Sequence, residues 1–162
     1  MILATHAVVG AGLVSLMSTE SVAGGFGLAF ASHFLLDSLP HWDYQLLSTN
    51  KHPGDRLRVV FNSGRALIVD LTKISLDGIV GLTFAMLIFT PWPLAALGAA
   101  AAMLPDALQM AYFLWSHEPL RSLQRFHLWI HTDRRLVGRP YVGLAFQALV
   151  LVVFIIFTKA VL

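Results

Sequence analysis

Apolar residues in this chain come in five long blocks, at 2–18, 22–39, 66–90, 94–115 and 141–162. Blocks of about 20 apolar residues predict bilayer-crossing helices, because lipid leaves each backbone N–H and C=O to find its partner within the segment. The first block is the shortest, and no Lys or Arg precedes it, so the positive region of a signal peptide is missing. Only Thr19, Glu20 and Ser21 separate it from the second block, which predicts an antiparallel hairpin. Gly24, Gly25, Gly27 and Ala31 offer a surface on which another helix can pack closely, and Gly98 to Ala102 form a second small-residue stretch. Pro91-Trp92-Pro93 marks a short interfacial turn.

Two polar stretches interrupt the blocks. Residues 40–65 carry the turn formers Asn50, Pro53, Gly54, Asn62 and Gly64, and read as a loop. Within 116–140, Leu120, Leu123, His127 and Ile130 share one helical face, which predicts an amphipathic helix lying in the interface. The expected fold is all-α: a polytopic membrane bundle of about five transmembrane helices with an interfacial amphipathic helix. It forms a single integral membrane domain over residues 1–162.

Composition supports that reading. Of 162 residues 57% are hydrophobic and 12% charged, with mean hydropathy +0.72, where a soluble domain has roughly a quarter of its residues charged. The polar surface is too small to face water all round. The absence of cysteine excludes disulfides and thiolate metal sites. A pI near 9.3 raises nucleic acid as a partner, but nine of the 11 Lys and Arg residues fall in the two polar stretches. In a membrane protein such clusters set orientation and touch anionic headgroups, so no nucleic acid is expected. With five spans, the N-terminus and both basic loops lie on one side, expected to be the cytoplasmic side of a bacterial inner membrane. Assembly with further copies of the chain is left open.

That side collects the chemistry. His33 and Asp37 are four apart and share a helix face. Pro40 ends the helix, so His41 and Asp43 fall on a turn that can fold back to the same point. An imidazole and a carboxylate so spaced suit a borderline ion such as zinc. The bland alternative is a polar helix end facing water. His6 comes to the same face through the hairpin, and stands against an ordinary interfacial histidine. Asp106, after Pro105 in an apolar helix, must be paired, protonated or metal-bound. His127 and His131 repeat the four-residue spacing and face either an ion or lipid headgroups. Asp70 and Lys73 read as a structural pair, while Asp77 is kept as a carboxylate near the metal or a general base. His52 and His117 read as surface residues. Arg121, Arg125, Arg134 and Arg135 set topology, and are candidates to hold a substrate phosphate through bidentate contacts.

At these residues the chain resembles the small membrane-bound metal-dependent hydrolases, a group distantly suggestive of zinc-dependent phospholipase C. The matching elements are Thr5-His6, His33-x-x-x-Asp37 running into Leu39-Pro40-His41-x-Asp43, and Leu104-Pro105-Asp106. The resemblance implies that His6, His33, Asp37, His41 and Asp106 are metal-binding or catalytic. The function expected first is metal-dependent hydrolysis of a phosphoester or related bond in a membrane lipid, with zinc the divalent ion and Asp43 or Asp77 the proton acceptor. Two other classes remain: a divalent-cation or proton-coupled carrier using Asp77 and Asp106, and a non-catalytic membrane protein with a structural metal.

Overall fold

The computed structural model describes residues 1–17, 21–62, 64–132, 136 and 138–162. Among them lie six helices: α1 (Leu3–Leu16), α2 (Val22–Asp37), α3 (Arg65–Ile88), α4 (Trp92–Leu114), α5 (Leu120–Ile130) and α6 (Pro140–Val161). The five apolar blocks therefore all fold as helices, within two residues or so of the expected ends. The residues that join α1 to α2 (18–20) lie outside the described set, as do Arg134 and Arg135.

Three helices, α3, α4 and α6, are long and apolar enough to cross a membrane. The expected count of five is not reached. With 14 and 16 residues, α1 and α2 rise about 21 and 24 Å at 1.5 Å per residue, short of a hydrocarbon layer about 30 Å thick. The first is instead the inner element of the bundle, while α2 buries one face and exposes Leu28 and Leu35 on the other. Along α1 Ala7, Val8, Val9, Ala11 and Val14 are buried; Ala7, Val8 and Ala11 pack with Ala85 and Phe89 of the α3 end and Ala95 and Ala99 of α4, and Val14 with Ala29 of α2. By contrast α3 and α6 leave Ile68, Leu76, Ile79, Leu149, Val153 and Ile156 exposed, as a lipid-facing helix does.

Close approach is made by small residues, and on α2 the buried one of the expected set is Gly25, which faces Val14 and Met17. Gly24, Gly27 and Ala31 are exposed. Gly10 of α1 and Gly98 of α4 meet instead, and a Cβ on either would overlap the other's backbone carbonyl. Gly81 of α3 lies against Ala4 with no room for a side chain. Packing through Gly and Ala brings backbones together where hydrophobicity alone gives lipid-embedded helices no reason to associate.

The 40–65 stretch is not all loop. It holds a two-stranded antiparallel hairpin, β1 (Thr49–Lys51) with β2 (Val59–Phe61), in register Thr49↔Phe61 and Lys51↔Val59. Strands of three residues carry too short an alternation to read from sequence. Asp70 fixes the hairpin to α3 by accepting the Ser48 N–H at 2.7 Å, and Lys73 sits 3.6 Å from the same carboxylate. The structural reading of that pair holds.

Asp77 has a different use from the one expected. Its two oxygens accept the backbone N–H groups of Leu3 at 2.7 Å and Ala4 at 3.1 Å. A helix start leaves its first N–H groups without intrahelical partners, and Ile2, at the α1 N-cap, has no side-chain cap of its own. A carboxylate from α3 therefore caps α1 across the bundle. This occupation gives an acidic residue in the middle of α3 a structural role. Asp77→Asn is expected to lower stability by about 1 kcal/mol, in the range of lost caps, and to leave metal content unchanged. Thermal unfolding alongside metal analysis checks both.

Candidate metal centre

The ends of α1 and α2, the middle of α4 and the last turn of α5 converge at one point, and Asp37 stands at its centre. Pro40 cannot continue α2, so the chain turns and returns His41 toward the helix end. The segment after α5 is tied to this turn by two backbone bonds, Thr132 N–H to Asp37 C=O and Leu136 N–H to His41 C=O, both 2.9 Å. On α4, Pro105 has no N–H for the carbonyl of Ala101 and loosens the turn there. The neighbouring Ala102 carbonyl is 2.9 Å from Nδ1 of His33.

Around Asp37 the distances are short. Its Oδ2 lies 3.1 Å from His127 Nε2 and 3.2 Å from His33 Nε2. Its Oδ1 lies 3.2 Å from His6 Nε2 and 4.0 Å from His41 Nε2. His131 Nε2 is 3.9 Å from Oδ2, and Asp106 Oδ1 is 3.5 Å from His33 Nε2. His6 and His33 stack with ring centroids 4.0 Å apart. Asp37, His6, His33 and His41 are at most 2% exposed, so no water shell replaces the contacts they make with each other. The seven residues expected to bind metal, His6, His33, Asp37, His41, Asp106, His127 and His131, thus come together in space.

Tautomers decide what this cluster is suited to hold. Nδ1 of His33 faces the Ala102 carbonyl at 2.9 Å and Nδ1 of His41 faces the Leu39 carbonyl at 2.7 Å. Nδ1 of His131 lies 3.2 Å from the Thr132 carbonyl. A carbonyl only accepts, so each Nδ1 carries the hydrogen and donates it. In a neutral ring the lone pair is then on Nε2, the atom turned toward Asp37. Lone pairs facing carboxylate oxygens at 3–4 Å repel unless a proton or a metal cation lies between them. Backbone carbonyls that fix the far nitrogen are also the usual support of metal-binding histidines. His6 adds to the case: it is fully buried, and its Nδ1 has no hydrogen-bond partner. A buried His/Asp cluster that could hold a metal ion is therefore present.

Comparison with family models, with curated proteins and with solved structures finds no match. What this site does must be argued from its own geometry.

Some residues were not visible as participants in the sequence. The amino group of Met1 lies 2.6 Å from Asp37 Oδ1 and 3.0 Å from Asp43 Oδ1. Burial opposes its charge, but Asp37, Asp43 and Asp106 outweigh that and raise its pKa. Gln147, the lone amide in the apolar α6, accepts from Ile2 N–H at 3.2 Å and Thr5 Oγ1 at 3.3 Å, and donates to the Trp42 carbonyl at 2.8 Å. It pins the start of α1 to the His41–Asp43 turn. Its only signal in the sequence was a polar residue amid hydrophobics.

A cavity of about 760 Å³ opens onto the cluster. Asp37, Asp43, Asp106, His127 and His131 line its polar end. Leu71 and Ile74 of α3, Met103 and Met110 of α4, and Phe61 and Phe113 line the rest. Among the described residues, no Lys or Arg lines it. Of the arginines expected to hold a substrate phosphate, Arg121 pairs with Asp55 at 3.5 Å and Arg125 is exposed. Arg134 and Arg135 lie outside the described residues. In α5 the expected face of Leu120, Leu123, His127 and Ile130 is the less exposed one, with Gln124 and His127 buried, while Phe126, Leu128 and Trp129 are exposed. His127 turns into the protein rather than toward headgroups, and His131 lines the cavity.

Asp43 lines the cavity and accepts from His41 Nε2 at 2.9 Å whenever that nitrogen is protonated. Burial opposes its ionisation, but His41 and the Met1 amine hold its pKa well below the usual carboxylate range. Tyr44, beside it, is pushed above the usual phenol range by burial and by Asp77, Asp106 and Asp43, so it keeps its proton.

Proposed function

We propose that this protein is a membrane-embedded, metal-dependent hydrolase acting on a phosphoester or related bond of an amphiphilic lipid at the cytoplasmic face of a bacterial inner membrane. The observation that carries the reading is the set of histidines whose Nδ1 atoms are tied to backbone carbonyls while their Nε2 atoms converge on one carboxylate. The chemistry of the donor set, imidazole nitrogen and carboxylate oxygen without thiolate, fits zinc or a similar divalent ion. His33, Asp37, Asp106 and His127 would hold it.

When bound, such an ion supplies ionised water near neutral pH and a positive charge opposite the developing negative charge of the substrate. The chain's own groups supply the rest. Asp43, kept ionised and open to the cavity, accepts a hydrogen bond from the attacking water and orients it. Its depressed pKa suits it to orientation more than to storing a proton. Tyr44 keeps its O–H and gives it to Asp77 beside the cavity. The apolar walls from α3 and α4 exclude water and receive a hydrocarbon tail without removing the lipid from the bilayer.

The carrier reading loses its two carboxylates. Asp77 is occupied by the start of α1, and Asp106 belongs to the cluster near His33. A purely structural metal would leave the cavity without a role.

Turnover of a phospholipid in detergent, abolished by chelator and restored by zinc, is the expected result. Absence of turnover across headgroup classes by the zinc-loaded protein would contradict it. Ile74→Trp, which fills the apolar part of the cavity, is expected to raise KM at least tenfold for long-chain substrate. A short-chain analogue should be hydrolysed with little change.

A further inference from the structure

Eight side chains surround the Asp37 carboxylate or each other, more than one ion can use. We infer that the centre is dinuclear, with Asp37 bridging two divalent ions through its two oxygens. The inference rests on the metal-centre reading above and deepens it.

Two ligand sets share this residue. His33, Asp37, Asp106 and His127 bring one donor atom each to within 4.8 Å of one another, and so do Asp37, His41 and His131. Zinc with bonds of about 2.0–2.1 Å takes four ligands and spans no more than about 4.2 Å between donors. A single ion so bound takes no donor from His41 or His131, whose Nε2 atoms lie 4.0 and 3.9 Å from Asp37. Both aim there, because their Nδ1 atoms are held by the carbonyls of Leu39 and Thr132.

The Asp37 oxygens also divide the neighbours. Oδ2 has His33 and His127 at 3.2 and 3.1 Å, whereas Oδ1 has His6 at 3.2 Å and His41 at 4.0 Å. Asp43 completes the second set, its Oδ2 lying 2.9 Å from His41 Nε2 and 3.9 Å from His131 Nε2. His6 is a further pointer to a missing partner, since it is fully buried and its Nδ1 is unbonded. That the Oδ1 side attracts positive charge is visible in the Met1 amine, 2.6 Å from Asp37 and 3.0 Å from Asp43. A carboxylate facing two such sets is the arrangement of two-metal centres, whose ions stand about 3.5–4 Å apart.

The test is metal stoichiometry of the full chain in detergent, stripped with chelator, reloaded with zinc and freed of excess. Two ions per chain are expected for wild type and one for His41→Ala/His131→Ala. One ion per chain in both would overturn the dinuclear assignment while leaving a mononuclear hydrolase standing. No bound ion would overturn both readings. A measurement needing no variant is electron paramagnetic resonance of wild type saturated with Mn²⁺. An exchange-coupled spectrum is expected, and the six-line signal of isolated ions at saturation would contradict it.

Discussion

Asp37→Asn is expected to lower zinc affinity by at least a hundredfold and to abolish hydrolysis, the largest effect of any single substitution in this chain. Asn keeps the shape but replaces one carboxylate oxygen with a donor and removes the charge. Five imidazoles and the Met1 amine are within 4.0 Å of that carboxylate. Loss of a supporting group beyond the ligands costs metal sites 10–100-fold, and loss of the central ligand should exceed that. Stability falls as well: removing one partner of a buried ion pair costs about 3–5 kcal/mol, and here the Met1 amine is left buried without its nearest counter-charge. Isothermal titration with zinc separates the two consequences. A folded Asp37→Asn protein that binds zinc like wild type would show that the carboxylate serves only the amine.

The second large effect is on stability through the metal. An ion that binds the folded chain and not the unfolded one stabilises it by about 4 kcal/mol at a thousandfold excess over Kd. For a chain of this size that corresponds to a rise in Tm on the order of 10 °C. Zinc is therefore expected to raise the unfolding temperature of the chelator-treated protein by about that amount. His127→Ala should remove most of the rise, because it deletes the nitrogen 3.1 Å from Asp37 Oδ2. His117→Ala, on an exposed residue outside the cluster, is the control and should keep it. A shift that His127→Ala leaves intact would place zinc elsewhere.

What could be read in the sequence was whatever local spacing encodes. His33 with Asp37 and His127 with His131 are pairs one helical turn apart, and Asp106 follows a proline within an apolar run; each is a pattern over a few residues. Gathering them on one side followed from counting apolar blocks, although α1 and α2 proved shorter than spans. Asp77 misled because its partners, the N–H groups of Leu3 and Ala4, are more than seventy positions away. Whether a carboxylate inside a helix meets an ion or a bare helix start depends on the register of α3 against α1, which no local spacing records. Gln147 went unread for the same reason: a lone amide is visible in sequence, but its three partners on α1 and the turn after α2 are not. Charge in a loop likewise says nothing of which cavity it faces, and Arg121 turns to Asp55.

The central claim is that the Nε2 atoms around Asp37 are aimed at a cation rather than at each other. X-ray absorption at the zinc edge of the reconstituted wild-type protein tests it most directly. Nitrogen and oxygen ligands at about 2.0–2.1 Å, with the outer-shell scattering of at least two imidazoles per zinc, are expected. A first shell of oxygen alone, without imidazole scattering, or a protein that retains no zinc after desalting, would contradict the account.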